Sequence, residues 1–264
     1  MTTSSLRTFG LITAIGGSAL LAAAAQAQDG LYASLSGGMS FQGDSDNEGV
    51  FPNGFTTGQG TTIPAGTALP AGTDVGWTTE FDNGFVVSGA IGKKTESGFR
   101  AEVELSYDSA DVDTHIDVSA AGLDLTAEDA ALLTGGADPL GLTVGQVVAD
   151  GQGDISSLGI FANVYYDLAT DSAFTPYVGA GIGYAKTDVD YSPSGVGIID
   201  DDDSGFAWQV MGGAAFAVSD TTEIFGGIRY RSQEADVEAS LFPAEFEVEN
   251  KRVFAEVGVR FSFQ

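Results

Sequence analysis

Apolar and polar residues alternate along eight short segments of this chain. In the clearest segment, Phe99, Val103 and Leu105 occupy alternate positions. Glu102 and Glu104 lie between them. Successive side chains of a strand point to opposite faces, so each segment is predicted to be a β-strand with one apolar face. Most come close to the roughly 9–11 residues that a tilted strand needs to cross a bilayer. The eight segments lie near residues 31–41, 85–91, 99–107, 158–166, 174–184, 206–216, 224–230 and 253–263.

The polar faces of these segments carry charges of both signs. A sandwich core would not accept such charges unpaired, because burying an isolated charge is costly. An apolar outer face and a polar inner face are expected of a transmembrane barrel. The pattern therefore predicts an all-β fold, an eight-stranded antiparallel up-and-down transmembrane β-barrel with long extracellular loops. A water-soluble barrel of lipocalin type has the same period with its faces reversed, and periodicity alone does not separate the two.

The lengths of the connections favour the membrane barrel. Short turns at 95–97, 169–172 and 219–220 alternate with long connections at 42–83, 109–155, 187–205 and 232–249. Outer-membrane barrels have short periplasmic turns and long extracellular loops. Aromatic residues also collect near the segment ends, where the two girdles of such a barrel are expected.

The first part of the chain has the features of a secretory signal peptide. Arg7 precedes an apolar run, and Ala25 and Ala27 provide a small-x-small cleavage pattern. The expected organisation is a signal peptide at residues 1–27 and an outer-membrane β-barrel domain at 28–264. An uncleaved membrane helix is the alternative, but the run is short for a span of about 20 residues. The expected location is the bacterial outer membrane.

The net charge is −27, and the acidic residues are unevenly distributed. None of the four long connections contains Lys or Arg. An acidic surface of this kind argues against nucleic acid as a partner, because phosphates require a basic face. It should attract divalent cations loosely. The chain has no Cys, so neither disulfides nor thiol chemistry is expected, and nothing in it predicts a cofactor.

The inward-facing charges are the main candidate site. An eight-stranded barrel has room inside for little more than its own side chains, and unpaired buried charges are costly. A salt-bridge network that plugs the lumen is therefore expected, with a narrow ion-conducting pore as the alternative. The predicted members of this network are Arg100, Glu102, Glu104, Glu223, Arg229, Arg231, Arg252, Glu256 and Arg260.

Other possible sites are weaker. The stretch from Asp44 to Gly49 imitates the start of an EF-hand loop, but Phe55 occupies the position that needs a bidentate Glu. It and the run Asp200 to Asp203 are interpreted as solvated loops that at most bridge divalent cations weakly. His115 has no nucleophile motif beside it and is interpreted as loop surface. Residues 126–133 (TAEDAALL) have a capping-box pattern that predicts a short loop helix.

The segment TPYVGAGIGYA at 175–185 and the last strand resemble the small outer-membrane barrels of Gram-negative bacteria, the OmpA-type transmembrane and opacity-like porin group. The resemblance implies that alternate residues of the last strand form the signal read by the barrel-assembly machinery. These residues are Val257, Val259, Phe261 and Phe263. Members of the group usually end in Phe, whereas Gln264 follows Phe263 here.

The resemblance implies surroundings of outer-membrane lipid and lipopolysaccharide, with an extracellular partner as a further candidate. The expected function is non-catalytic: a structural and surface-interaction barrel with a plugged lumen. A narrow cation-preferring porin for small solutes is the second interpretation, and a lipid- or protein-modifying barrel enzyme is the third.

Overall fold

Eight antiparallel strands close into a ring in the computed structural model, which describes residues 30–149, 151–195, 197–238 and 245–263. The predicted signal peptide lies outside these residues. No helix in the described part of the chain has the length and apolarity needed to cross a membrane. The strands of the ring follow one another as β1 (Leu31–Gln42), β6 (Gly84–Lys94), β7 (Phe99–Ala120), β9 (Gly153–Asp167), β10 (Phe174–Tyr191), β11 (Ile199–Ala217), β12 (Thr222–Glu238) and β13 (Glu245–Ser262).

The ring closes because the first and last of these strands pair with each other. Tyr32 of β1 pairs with Ser262 of β13, and Gln42 pairs with Arg252. β7 and β9 are antiparallel neighbours although a long connection separates them in the sequence, and Phe99 pairs with Tyr166. The predicted fold class, an all-β eight-stranded antiparallel barrel, is thereby confirmed.

The barrel has two tiers that differ in polarity. The lower tier consists of β1, β6 and residues 99–108, 158–167, 174–185, 206–217, 222–231 and 252–262. Its outward side chains are apolar and exposed, including Val103, Ile182 and Val257. Its strand lengths are close to the roughly 9–11 residues required to cross a bilayer.

Aromatic side chains mark both rims of the lower tier. At the upper rim, the rings of Phe85 and Tyr107 lie 5.9 Å apart, and those of Trp208 and Tyr230 lie 5.4 Å apart. At the lower rim, the Phe99 ring lies 5.0 Å from that of Tyr166. Such girdles occur where a barrel meets the two membrane–water interfaces.

The upper tier consists of the upper parts of six ring strands together with β2 (Ser45–Phe51) and β5 (Thr73–Phe81). β2 pairs with β13 and β5 pairs with β7, so they take the places that β1 and β6 hold below. About half of the residues that were expected in long loops are therefore in strands, which corrects the sequence-based boundaries. Residues 109–120 of β7 alone raise the barrel by about 30 Å, at about 3.3 Å per residue and a tilt near 40°.

The inner and outer faces exchange polarity where the tiers meet. Along β7, the buried side chains are polar up to Asp108. Beyond it, Ala110 and Val112 are buried, whereas Asp111 and Asp113 are exposed. On β9 and β10 the outward residues likewise change from apolar to acidic, and Ile155 and Val189 are buried above the boundary. The upper tier thus has an apolar core and an acidic exterior, which is the arrangement of a water-soluble barrel.

A cap closes the upper end of the barrel. We use the name cap for residues 121–149, which include β8 (Leu123–Asp124), α1 (Ala131–Thr134) and α2 (Val144–Val148). Leu125, Leu132, Val144 and Val148 of the cap are buried in the upper-tier core. A shorter pair, β3 (Phe55–Thr56) with β4 (Ala68–Leu69), flanks the segment that packs on the cap.

Candidate functional site

The lumen of the lower tier contains a balanced set of charges. Among the described residues, six cationic and six anionic side chains face it. The balance is consistent with pairing, because a net charge buried in a narrow barrel would be costly. The twelve are Lys94, Arg100, Arg229, Arg231, Arg252 and Arg260 with Glu102, Glu104, Asp108, Asp167, Glu223 and Glu256.

One ion pair crosses the middle of the lumen. Glu104 on β7 and Arg229 on β12 are four strands apart in the ring, and both are buried. The Arg229 guanidinium donates to both Glu104 oxygens, with Nη2 2.9 Å from Oε2. Its Nε lies 3.0 Å from Glu256 Oε2 on β13. A single arginine thereby ties together two carboxylates from different parts of the wall.

A second cluster lies at the boundary between the tiers. The Asp108 side chain is fully buried and forms ion pairs with Arg231 at 2.8 Å and with Arg252. The Arg231 guanidinium lies 4.1 Å from the ring centre of Phe161 and 5.0 Å from that of Phe254. Cations are attracted to the faces of aromatic rings. We name this cluster the boundary layer; it spans the lumen with charged groups packed between rings.

A third cluster lies at the lower end of the lumen. Arg100 Nε donates to Asp167 at 2.9 Å, and Lys94 contacts the same carboxylate at 3.0 Å. Arg260 donates to Glu223 at 2.6 Å. Lys94 is partly exposed, so this cluster meets water, whereas the boundary layer does not.

Glu102 is bonded differently from the other lumenal carboxylates. It accepts hydrogen bonds from Tyr32 at 2.7 Å, Tyr165 at 2.9 Å and Asn163 at 3.2 Å. A cavity of about 30 Å³ lies between Glu102, Glu256 and the small residues of β1 and β6. A polar cavity of this size has room for about one or two water molecules.

All nine predicted network residues lie in the lumen, but sequence reasoning missed several of their partners. Asp108 and Asp167 had a usable signal, because they continue the inward positions of β7 and β9. Phe161, Tyr165 and Phe254 also occupy inward positions of the alternation, but nothing in the sequence predicted that their rings would contact arginines.

A row of aspartates crosses the outer surface of the upper tier. Asp111 pairs with Asp154, Asp154 with Asp190, and Asp190 with Asp200, on four neighbouring strands. We name these four residues the aspartate row. Like charges directly opposite one another destabilise a sheet. Partial burial raises the pKa of Asp154, and the neighbouring charges of the row raise it further.

Two acidic stretches that were interpreted as loops are corrected. Asp44 to Gly49 is not a loop, because β2 begins at Ser45 and its side chains alternate between core and solvent. Asp200 to Asp203 is strand β11 and not a loop tip. Within the described residues, no group of His, Cys, Asp and Glu has the geometry to hold a metal ion.

His115 is buried, not on a loop surface. Irregular pairing between β5 and β7 turns its ring into the upper-tier core, where it is 3 % exposed. Thr79 lies 2.9 Å from its Nδ1, and the Tyr191 ring lies 5.0 Å away. The predicted helix at 126–133 is confirmed only in part, because α1 covers Ala131–Thr134 and has no side-chain cap. The capping box that the structure contains is formed by Thr143 and Gln146 at the start of α2.

The predicted assembly residues lie on the last strand at the seam with β1. Val257 and Phe261 point outward and are strongly exposed. Val259 pairs with Leu35 on β1 and with Ile224 on β12, so both neighbours hold it in the ring. Phe263 N donates to Leu31 O at 2.8 Å, just beyond the end of the strand.

The apolar outer face, aromatic rims and charged lumen define a transmembrane β-barrel of the outer-membrane type. The chain belongs to the surface antigen family, whose model matches residues 59–263. Outer membrane protein PagN of Salmonella typhimurium is 37% identical over 73 residues, which are 26% of this chain and 30% of PagN. The match thus spans less than a third of that relative. The protein is a bacterial outer-membrane protein.

Solved structures with a similar chain path include a neisserial surface protein and an outer membrane protein. Neisserial surface protein A is 16% identical with a TM-score of 0.45, over 89% of this chain and 98% of that chain. OprG from Pseudomonas aeruginosa is 16% identical with a TM-score of 0.46, over the same shares of each chain.

Proposed function

We propose that this protein is a non-catalytic surface-interaction barrel whose lumen is closed by its own side chains. The observation that carries the proposal is the boundary layer, where Asp108 binds two arginines that come from other strands. Ions would have to displace buried, paired charges to pass this level, and breaking a buried pair typically costs about 3–5 kcal/mol. The two-tier architecture supports the surface role, because it lifts the cap well above the membrane.

Electrical conductance of the folded protein in planar bilayers tests the closure. We expect no discrete channel events from the wild-type barrel. Asp108→Ala should introduce leak, because it removes the anion that joins Arg231 to Arg252. Reproducible wild-type channels would defeat the proposal.

A narrow cation-preferring porin is the second candidate. The cavity between Glu102 and Glu256 favours it, because it provides polar space in the middle of the lumen. The acidic upper tier would also raise the local concentration of cations. The same conductance experiment separates the candidates, since a porin would show discrete channels whose selectivity changes in Glu256→Gln.

An enzymatic role has less support. His115 is the chain's one histidine, and its burial in the upper-tier core keeps its ring from a substrate in solution. General acid–base catalysis requires a group within hydrogen-bond reach of the substrate. A lipid-modifying or proteolytic activity that wild type shows and His115→Gln lacks would reverse this view.

The remaining partners follow from position and charge. We propose that outer-membrane lipid and lipopolysaccharide surround the apolar lower tier. We also propose that the barrel-assembly machinery reads Val257, Val259, Phe261 and Phe263, and that the aspartate row attracts divalent cations as diffuse counterions. We propose in addition that the protein is a relative of the OmpA-type and opacity-like group. Folding yield after alanine substitution of Phe261 tests the assembly role, with the outward Ile228→Ala on β12 as the matched control.

A further inference from the structure

Leu123, Leu140 and Leu142 of the cap face solvent although the cap has a buried core, and Leu140 and Leu142 lie on one turn. Leu140 is 59 % exposed and Leu142 is 53 % exposed. The apolar side chains that join the cap to the upper tier, such as Leu132 and Val144, are almost fully buried. Packing of the cap therefore does not account for the two leucines.

The turn that carries these leucines is held rigidly by one carboxylate. Asp129 accepts hydrogen bonds from the backbone N–H groups of Ala131 at 2.9 Å, Leu140 at 2.9 Å and Gly141 at 2.8 Å. These three donors lower the pKa of Asp129. The Leu142 carbonyl in turn accepts from Ala130 N at 2.8 Å. Hydrogen bonds to the backbone of Leu140, Gly141 and Leu142 thus fix the direction in which the leucines point.

The surroundings of the turn are acidic. The exposed side chains of Asp124 and Asp138 belong to the same cap, and no Lys or Arg occurs between residues 109 and 155. Anionic lipid surfaces would be repelled by this charge. A protein surface with an apolar pocket and a rim of Lys or Arg would match both the leucines and the acids.

We propose that the Leu140–Gly141–Leu142 turn docks a protein partner whose apolar pocket is rimmed by basic residues. This inference rests on the proposed surface-interaction function and names the chemistry of the partner. A preformed turn favours binding, because little conformational freedom is lost when the leucines become buried. The acids should speed association and make it sensitive to salt.

The test uses the full chain folded in nanodiscs and a fluorescent amphipathic peptide with a leucine face and a lysine rim. A second peptide has serine in place of every leucine. We expect the leucine peptide to bind wild type at least about tenfold more tightly than the Leu140→Ser/Leu142→Ser variant. Leu168→Ser is the matched control, because Leu168 is 44 % exposed on a turn at the opposite end of the barrel.

Asp138→Asn should lower affinity at low salt and have little effect at high salt, because exposed charges are screened. Equal affinity of both peptides for wild type, or equal affinity of wild type and the double serine variant for the leucine peptide, would overturn the proposal. Leucine-dependent binding to phosphatidylcholine vesicles without peptide binding would assign the turn to lipid and also overturn it. Failure here leaves the conductance result unaffected, so the two proposals fail separately.

Discussion

Asp108 and Arg252 form a buried ion pair across the lumen at the level where the inner face of the barrel changes from polar to apolar. Arg231 binds the same carboxylate, so one anion neutralises part of two buried cations. This relationship makes Asp108 the residue whose loss should matter most to the lumen.

Asp108→Ala should destabilise the barrel by about 3–5 kcal/mol, because it leaves two arginines buried without their shared partner. The measurement is the temperature at which the folded band disappears on a semi-native detergent gel. Asp113→Asn is the control, since Asp113 is exposed on the same strand. Equal melting of both variants would show that Asp108 carries little of the pairing.

Glu104→Ala and Arg229→Ala should each be costly, and the double variant should cost less than their sum. Each single change leaves an unpaired buried charge, whereas the double change removes both members. Unfolding by urea should reveal a coupling energy of about 1–3 kcal/mol. Glu256 also contacts Arg229, so the cycle is best repeated in Glu256→Gln. Strict additivity would indicate that the pair is not formed.

Ile155→Ala should loosen the upper tier while leaving the lower tier intact. Ile155 is fully buried in the apolar core, and such truncations cost about 2–5 kcal/mol. Hydrogen exchange should accelerate at amides of residues 109–120 and stay slow at 99–108. Leu158→Ala on the outward face of the same strand should lack this effect. Uniform acceleration would mean that the two tiers unfold as one unit.

At neutral pH, Asp154→Asn should raise the free energy of opening the upper tier by a few tenths to about 1 kcal/mol, because it removes one charge from the aspartate row. The raised pKa of Asp154 means that its ionised form disfavours the folded state. As pH falls through that raised pKa, wild-type Asp154 becomes protonated and the advantage of the variant should disappear. Exchange rates of β9 and β10 amides between neutral and acidic pH measure this. An advantage that grows on acidification would contradict the assignment.

The fold was predictable for the strand segments that face lipid, because their outward residues are apolar and many of their inward residues are polar. Val103 and Leu105 of β7, for example, alternate with Glu102 and Glu104. Inward placement of the network residues followed from the same alternation. Their pairing did not, since strand register and tilt decide which charges meet. Arg229 reaches Glu104 on the far wall, which no spacing in the chain reveals.

The upper tier was missed for a different reason. Ala110 and Val112 alternate with Asp111 and Asp113 at the same period as the lower strands, but in the opposite sense. Acidic residues, glycines and the absence of Lys and Arg suggested loops. The burial of His115 depends on irregular pairing that shifts β7 locally against β5, and sequence periodicity contains no sign of such a shift.

The exchange of faces also determines how deeply the barrel is immersed. Sinking by one residue pair would bring Asp111 and Asp190 toward hydrocarbon, and rising by one pair would lift Tyr107 and Tyr184 out of the interface. Charged groups on the lipid face are penalised according to depth, so both displacements are opposed. The vertical position of the protein is therefore encoded in its strands, and with it the distance from the bilayer at which another molecule first meets Leu140.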